Sequence, residues 1–539
     1  MSLHKNSNSC EKAAPSTSSA DSPAAQDFSL RFSLWILLGL AAAIALMRLH
    51  TYYEPIERDS GGYSVIADNI LHGGRFFDGF AMDQKPPLVH CTWAFAQLIA
   101  GYGRGSIYLL NVLSAITCML GYFVAGRLIT RRNSLGLWMA AIWTVISGHL
   151  TLEANQPNTE SFTNVMIVLG TCLLARLGGN EKRVFTALAA GICFAAATFY
   201  KQVNVVIPFF IGCAYITFPP SGRNRLSAFV DILVIGAVGT MAWGLMICYF
   251  WVTGRLENLI LAMVTFNSYY ASIASHSGGP LDNIIRSLDW KLLFPPSLYF
   301  SLPLLLLGIT GICLSFLKRR YFPWNLLLGM AVGTQIAVAL PGRFYPHYYQ
   351  LWFPFLVIGA GWGLDAIEKF TEITTGAIKG IAATVLIILI LAEAPDYISK
   401  SPEDWSRAKY GEIFVRNSVI AAEINRILLP KETFFQFGSE CQLYLATGRR
   451  CNSVVCDYYA AEGPMAEMQT RLMFEEFEKA PPDLFLIEKW TPLKPTHPLL
   501  PWLQARYSQV TILDFDPFYV FVLKGSALET RLGQTPAAR

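Results

Sequence analysis

The sequence predicts a mainly α-helical, polytopic membrane protein with a small α/β domain at its C-terminal end. Of its 539 residues, 53% are hydrophobic and only 15% are charged, whereas a soluble domain carries roughly a quarter charged residues. The mean hydropathy is +0.38. Uncharged apolar stretches such as 106–126 recur along the chain, and each is long enough to cross a bilayer core of about 30 Å. Lipid is therefore the expected solvent for most of the chain.

Basic residues in the short loops assign an orientation to these stretches. They cluster at 127–132, 182–183, 223–225 and 318–320. All four clusters are cytoplasmic, as the positive-inside rule requires, only if the apolar stretch 86–101 lies at the outer surface instead of crossing. About eleven transmembrane helices then follow, with outer-surface juxtamembrane helices between them. The predicted starts are near Ser33, Ser106, Ser134, Ser161, Val184, Asn204, Asp231, Ser297, Tyr321, Tyr348 and Gly380.

The composition divides the chain into three parts. Residues 1–30 are rich in Ser, Ala, Pro and Asn and predict a disordered cytoplasmic tail. Residues 31–395 form the membrane part, which includes a long outer loop at 50–105. From 396 to 539 charges return, and strand-like runs at 434–437 and 484–487 stand beside a helical stretch at 410–428. This last part is long enough for one α/β domain, which the orientation places outside the cytoplasm.

Charge and cysteine content narrow the functional classes. A net charge of +4 is too small to suggest a nucleic-acid partner. Most of the 11 cysteines fall in apolar segments, where they pack as small hydrophobic residues. Cys441, Cys451 and Cys456 lie in the polar C-terminal part, and their spacing matches no zinc motif. The sequence leaves undecided whether two of these three cysteines form a disulfide.

The long outer loop contains the first candidate site. Acidic residues just past a membrane helix are usually solvated caps, and Glu57 and Asp59 have that simple interpretation. However, apolar residues recur at helical spacing between Tyr63 and Leu71, so the segment is expected to fold onto the membrane. Asp59 would then be held near the bilayer surface, where a lipid head group sits.

Lys85 stands directly before two prolines. This pair disfavours a helix before it and permits one immediately after it. Lys85 would therefore lie at a helix start, whose free N–H groups and dipole favour phosphate. An ordinary interfacial lysine paired with Asp83 explains the same residues equally well.

Further charged residues fall on other outer turns. Glu153 and Glu160 flank a polar turn, and Glu160 opens the next helix, where acidic residues are common. By the predicted orientation, Glu160 nevertheless faces the same vestibule as Asp59. Lys201, on a third turn, is a lesser candidate for binding an anion.

The turn at 342–349 is basic and aromatic. Arg343 and His347 suit an anionic lipid phosphate, and Tyr348 suits a sugar face. An aromatic belt at the membrane interface is the simpler explanation, but Arg and His together on the outer side weaken it.

The loop at 253–294 contains Tyr269 and His276 and has the length of a mobile lid. His276 with Asp83 would make a metal pair, but a lone loop histidine is usually not a ligand. No metal site is predicted, although a divalent metal stays open.

Taken in order, several of these motifs resemble those of the GT-C glycosyltransferases. The resemblance is carried by Asp59 with Tyr63 and Ala67, by Lys85-Pro86-Pro87-Leu88, by Glu160, and by Arg343 with His347-Tyr348-Tyr349 and Pro354. It is strongest to the protein O-mannosyltransferase and aminoarabinose lipid A transferase families (glycosyltransferase families 39 and 83), and it covers roughly residues 33–395. Ser60 departs from the pattern, because relatives often have a second acidic residue there.

The resemblance implies an enzyme that transfers a sugar from a polyprenyl-phosphate donor to a lipid, glycan or protein acceptor by an inverting single displacement. It implies no certain cofactor, and a bacterial plasma membrane is the preferred location. Asp59 and Glu160 are the expected catalytic residues, and Lys85, Arg343 and His347 the expected donor-phosphate ligands. Candidate substrate contacts are Glu57, Tyr63, Glu153, Lys201, Tyr269 and Tyr348.

Two other functional classes remain compatible with the sequence. A secondary transporter or flippase places ionisable residues near the bilayer midplane and often shows inverted repeats. Here the midplane stretches are nearly free of charge, which favours an enzyme at the outer surface. A binding protein with a decayed active site would bind lipid without turnover.

Overall fold

Runs of apolar residues with few helix breakers fold into a bundle of long helices. The computed structural model describes residues 27–78, 82–177, 183–274, 279–451, 453, 455, 457, 461–491 and 493–534. Most of the predicted tail, together with Lys182, His276 and Cys456, lies outside these residues. The helices of the membrane part are α1 (Leu30–Met47), α2 (Leu49–Tyr53), α3 (Arg58–Leu71), α4 (Leu88–Ala100), α5 (Arg104–Thr130), α6 (Asn133–Ile146), α7 (Thr159–Arg176), α8 (Arg183–Tyr200), α9 (Val206–Thr217), α10 (Arg225–Val252), α11 (Leu256–Ile260), α12 (Asn267–Ala274), α13 (Gly279–Arg286), α14 (Trp290–Leu293), α15 (Leu302–Leu317), α16 (Trp324–Ala339), α17 (Phe353–Phe370) and α18 (Thr375–Ser399).

A helix, or the short 3₁₀ turn that leads into one, begins within about six residues of every predicted start. In the described part of the chain, seven spans have the length and hydropathy needed to cross a membrane. They are Leu30–Tyr53, Arg104–Thr130, Arg183–Tyr200, Arg225–Val252, Pro296–Leu317, Pro346–Phe370 and Thr375–Ser399. Helices α6, α9 and α16 are shorter and apolar. The stretch predicted not to cross contains α4, whose 13 residues extend only about 20 Å.

The described residues of the predicted basic clusters lie at one end of the bundle's helices. They stand at the end of α5 and just before α6, at the start of α8, at and just before the start of α10, and between α15 and α16. Ion pairs hold this end of the bundle together: Arg132 contacts Glu368 of α17, and Arg183 and Arg223 both contact Asp231 of α10. The side of the membrane that this end faces stays a prediction.

Small residues set the packing of the central helix, α17. Gly308 and Gly311 of α15 face Gly359 and Gly363 of α17, and a Cβ added at Gly363 would lie 2.2 Å from the Leu307 carbonyl oxygen. Small residues of this kind let membrane helices approach closely. The apolar window of α17 is 94% buried, so protein surrounds this helix on nearly all sides.

The C-terminal domain is a four-stranded sheet with helices on both faces. Its strands are β1 (Phe434–Phe437), β2 (Leu484–Glu488), β3 (Tyr507–Val510) and β4 (Phe518–Leu523), and its helices are α19 (Pro402–Tyr410), α20 (Ile413–Ile427), α21 (Gln442–Thr447), α22 (Ala466–Phe477), α23 (Leu499–Arg506) and α24 (Ala527–Gln534). The strand order is β1-β2-β4-β3; β1 and β2 are parallel, and β4 is antiparallel to β2 and β3.

The two predicted strands are confirmed, whereas β3 and β4 were not predicted. The predicted helical stretch 410–428 corresponds to α20, apart from Tyr410, which is the last residue of α19; Gly411, with φ of +69°, ends α19. Helix α18 continues through Pro395 to Ser399, a few residues past the predicted domain boundary.

Helix α3 of the long outer loop packs directly onto the C-terminal domain. Val65 and Ile66 join the same hydrophobic core as α20, α21 and one face of the sheet. The approach is close, because a Cβ added at Gly61 would lie 2.4 Å from the backbone of Gln442. Arg58 at the start of α3 also pairs with the buried Glu440. The C-terminal domain therefore fixes the start of α3, where the candidate site begins.

Candidate active site

A cavity of about 740 Å³ lies between the membrane part and the C-terminal domain. Its walls come from the start of α3, the segment before α4, the turns before α7 and after α8, helix α12, and the segment before α17. The C-terminal domain contributes Tyr410, Phe414, Ser439, Asp457 and Gln469. All the predicted site residues except Tyr269 line this one cavity.

Glu57 caps the N-terminus of α3. Its carboxylate accepts hydrogen bonds from the backbone N–H groups of Asp59, at 2.7 Å, and Ser60, at 2.5 Å. Burial and the negative charge of Asp59 raise the pKa of Glu57 to about 7. Glu57 therefore orients the first turn of α3, and with it Asp59.

Asp59 and Lys85 face each other across the cavity, with Asp59 Oδ2 4.0 Å from Lys85 Nζ. The side chain of Asp59 is 40% exposed, and Lys85 Nζ lies 4.5 Å from the centre of the Tyr63 ring. Burial alone would lower the pKa of Lys85, but the charges of Asp59, Tyr63 and Asp83 raise it well above its usual range. Lys85 therefore carries a fixed positive charge.

The helix start predicted just after Lys85 is confirmed. Helix α4 begins at Leu88, directly after the two prolines. Asp83 has a different neighbour from the one expected, because its Oδ2 lies 2.9 Å from Nε2 of the buried His90. Asp59 is thus the carboxylate that faces Lys85 most closely.

Glu160 lies in the first turn of α7 and is paired. Its carboxylate accepts hydrogen bonds from Lys201 Nζ at 2.7 Å and from the Thr159 hydroxyl at 2.8 Å. Lys201 Nζ also lies 3.5 Å from the centre of the Tyr348 ring. The pair is almost wholly buried, with exposed fractions of 2% for Glu160 and 13% for Lys201. Its opposite charges largely compensate each other.

Glu153 is held by two partners. Its Oε2 accepts a hydrogen bond from the Tyr410 hydroxyl at 3.1 Å and lies 3.2 Å from Nδ1 of His347. Its backbone has φ of +54°, the left-handed region that residues with a Cβ rarely adopt.

Arg343 presents a cation without a carboxylate partner among the described residues. Its guanidinium lies 4.5 Å from the centre of the Tyr270 ring, and its Nε is buried without a hydrogen-bond partner in the part of the chain that the structure describes. A buried donor of this kind favours an anionic ligand.

Tyr269, predicted as a substrate contact, is not among the residues that line the cavity. Tyr269 packs against Gly463 of the C-terminal domain, whereas Tyr270 lines the cavity, because successive helical residues point in directions about 100° apart. Among the described residues, no group of three or more His, Cys, Asp or Glu side chains is arranged to hold a metal ion; His276 lies outside them.

The cavity residues of the C-terminal domain carry no sequence motif and are not among the predicted site residues. Tyr410 and Phe414 lie in the stretch 410–428, for which the sequence predicts only a helix. Ser439, Asp457 and Gln469 had no local signal, since only the packing of the domain onto α3 brings them to the cavity.

A bundle of apolar helices with a charged cavity at one end defines a multi-pass membrane protein, and its fold is the GT-C fold of integral-membrane glycosyltransferases. ArnT from Cupriavidus metallidurans in the apo state matches with a TM-score of 0.59 and 14% identity, over 91% of this chain and 98% of that one. The same protein bound to undecaprenyl phosphate matches with a TM-score of 0.58 and 15% identity, over 93% and 99%. The Archaeoglobus fulgidus oligosaccharyltransferase in its apo form matches with a TM-score of 0.53 and 13% identity, over 85% and 70%.

No protein-family model and no curated protein sequence matches the chain. The GT-C fold implied by the resemblance of the motifs is confirmed by the solved structures.

Proposed function

We propose that the protein is a glycosyltransferase that takes a sugar from a polyprenyl-phosphate carrier and transfers it to an acceptor in the cavity. The observation that carries the proposal is the pair of Asp59 and Lys85, 4.0 Å apart, in the same cavity as Arg343 and His347. A solvent-accessible carboxylate beside several cations suits a reaction in which a proton is removed and a phosphate leaves. The ArnT structure bound to undecaprenyl phosphate has the same fold, which supports a lipid phosphate as the leaving group.

In the proposed reaction, a nucleophilic group of the acceptor attacks the anomeric carbon of the sugar from the face opposite the carrier. A new bond to that carbon forms as the carbon–oxygen bond to phosphate breaks, so the configuration inverts. The proton of the acceptor passes to Asp59 as general base. The carrier leaves as a phosphate monoester with one more negative charge, which Lys85, Arg343 and His347 stabilise.

Asp59 is the better base because the other predicted carboxylates are engaged. Glu57 accepts two backbone hydrogen bonds, Glu160 is paired with Lys201, and Glu153 contacts Tyr410 and His347. Asp59 retains an exposed side chain toward the cavity. We therefore assign Glu160 to orienting Lys201 and proton transfer to Asp59.

The aromatic residues of the cavity suit the sugar and the carrier. Tyr63 and Tyr348 already lie against Lys85 and Lys201, so they shape the space beside the cations. The cavity charges come from helix ends and connecting segments, unlike the midplane charges of a transporter. The proposed location is a plasma membrane, preferably a bacterial inner membrane, with the cavity on the outer side.

The proposal is tested with purified protein in lipid nanodiscs and a panel of polyprenyl-phosphate sugars, with hexose and pentose head groups. Cell-envelope lipids, glycans and peptides serve as acceptors, and mass spectrometry measures both free polyprenyl phosphate and glycosylated acceptor. We expect both products to accumulate together with at least one donor. If no donor is consumed with any acceptor, while a labelled lipid-linked sugar crosses the bilayer of proteoliposomes, the protein is a flippase and the proposal is wrong.

A further inference from the structure

Helix α19 of the C-terminal domain inserts its last two residues into the membrane part. Lys409 Nζ lies 2.5 Å from Glu54 Oε1 and donates a hydrogen bond to Asn155 Oδ1 at 2.9 Å. The side chains of Lys409 and Glu54 are each 1% exposed. A buried ion pair with additional hydrogen bonds has a well-defined geometry. The end of α19 is therefore fixed to both the long outer loop and the turn before α7.

The next residue, Tyr410, reaches the candidate phosphate site through Glu153. Its hydroxyl donates to Glu153 Oε2 at 3.1 Å, and the same oxygen lies 3.2 Å from Nδ1 of His347. All three side chains line the cavity. The backbone of Glu153 is in the left-handed region, a conformation that persists only where the surroundings impose it. Here the surroundings include two contacts to the same carboxylate oxygen, one from Tyr410 and one from His347.

This arrangement has a chemical consequence for the imidazole of His347. When a carboxylate occupies one ring nitrogen, it orients the ring and leaves the other nitrogen to meet a ligand. With Nδ1 facing Glu153, Nε2 is the nitrogen that remains for an oxygen of the carrier phosphate. The Tyr410 hydroxyl restrains Glu153, since it donates to the same oxygen.

We propose that Tyr410 and Glu153 are positioning residues, which hold His347 in the orientation that stabilises the leaving phosphate. The C-terminal domain thereby takes part in the displacement step without touching the sugar. This inference rests on the proposed function. No proton moves between Tyr410, Glu153 and His347. His347 contributes a hydrogen bond to the phosphate, and this bond strengthens as the phosphate gains charge.

The test uses three variants of the full-length protein in nanodiscs: Tyr410→Phe, Glu153→Gln and His347→Asn. Tyr108→Phe is the matched control, because it also removes one tyrosine hydroxyl hydrogen bond, to the Ala45 carbonyl, away from the cavity. For each, kcat and the donor KM are measured by release of polyprenyl phosphate, and thermal unfolding reports the fold. Tyr410→Phe, which deletes a single oxygen atom, carries the test if Glu153→Gln does not fold.

We expect kcat to fall about three- to tenfold in Tyr410→Phe, the scale of one hydrogen bond, and about 10- to 100-fold in Glu153→Gln. The donor KM should change less than about twofold, because interactions made mainly in the transition state act on kcat. Tyr108→Phe should retain kcat. On the His347→Asn background, Tyr410→Phe should have almost no further effect on kcat, because the imidazole that Tyr410 is proposed to position is absent.

If Tyr410→Phe lowers kcat equally with and without His347, or raises only the donor KM, α19 serves only to hold the two parts of the protein together. Consumption of no donor by the wild-type protein would overturn the proposed function together with this inference. Wild-type transfer with additive effects of the two substitutions would overturn the inference alone.

Discussion

The sharpest test of the proposed chemistry is Asp59→Asn. The substitution keeps the size of the side chain but removes its charge and its basicity. If Asp59 accepts the proton of the acceptor, turnover should fall by about 100-fold or more, the scale of a lost general base. The backbone of α3 should be unaffected, because its cap is the side chain of Glu57.

The same substitution should leave donor binding intact or strengthen it. At the separation of 4.0 Å between Asp59 Oδ2 and Lys85 Nζ, two unit charges attract by about 4 kcal/mol at an effective dielectric constant of about 20. Since 40% of the Asp59 side chain is exposed, solvent screening reduces this to about 1 kcal/mol or less. Without this carboxylate, Lys85 is freer to bind the carrier phosphate, so affinity should rise by at most about fivefold.

The assay separates these two effects. Affinity for polyprenyl phosphate is measured by calorimetry in nanodiscs, and single-turnover sugar transfer is measured by mass spectrometry. Glu57→Gln serves as the matched control and should cost much less turnover at neutral pH. A purified Asp59→Asn protein that transfers sugar at nearly the wild-type rate would refute the assignment of Asp59 as the base. A large loss of donor binding would instead show that Asp59 holds the donor.

The remaining predictions concern the phosphate site, pH, domain docking and orientation. Lys85→Ala should weaken donor binding about 10- to 100-fold through loss of a charged hydrogen bond, and Lys85→Arg should restore only part of it; unchanged affinity of the alanine variant, measured by calorimetry, would return Lys85 to an ordinary interfacial role. Because the pKa of Glu57 is raised to about 7, its ionisation as pH rises through 7 adds negative charge beside Asp59. The wild-type pH–turnover profile should therefore inflect near pH 7, and Glu57→Gln should lack that inflection. Gly61→Ala should destabilise by about 1–3 kcal/mol, since overpacking forces the backbones apart, whereas Gly62→Ala, which has open space, should not lower the melting temperature; equal melting temperatures would contradict the close approach. A cysteine introduced at Arg131 should resist a membrane-impermeant reagent in intact cells, and labelling there would reverse the proposed orientation.

Local chemistry predicted the helices well because lipid imposes simple rules. A run of apolar residues must satisfy its backbone internally, so it forms a helix wherever it is long enough. The two prolines before Leu88 likewise fixed the start of α4, since their restraint acts only on adjacent residues. Strand β4 also has a local signal in its sequence, because Phe518–Leu523 consists of aromatic residues, valines and a leucine, and aromatic and β-branched residues favour strands. The edge strand β3, with the polar residues Ser508 and Gln509, had almost none.

The pairing of the site residues was less predictable, because pairing depends on packing between distant segments. The preference of acidic residues for a helix start correctly placed Glu160 in the first turn of α7. The same rule could not say that Lys201 would neutralise it, and so Glu160 stayed a candidate catalytic residue beside Asp59. Lys85 posed the converse problem, since Asp83 is its nearest acidic residue in sequence but Asp59 faces it more closely.

The C-terminal domain shows why such choices need the folded structure. A glycine at 61 is unremarkable in sequence, yet it is what allows α3 to touch the backbone of Gln442. That contact, with the pair between Arg58 and Glu440, fixes the first turn of α3, where Asp59 lies. The reactivity proposed for Asp59 therefore depends on a domain whose sequence carries no catalytic motif and whose contact residue Glu440 is 382 positions from Arg58 along the chain. A variant that loosens this docking should lower turnover even though every cavity side chain is unchanged.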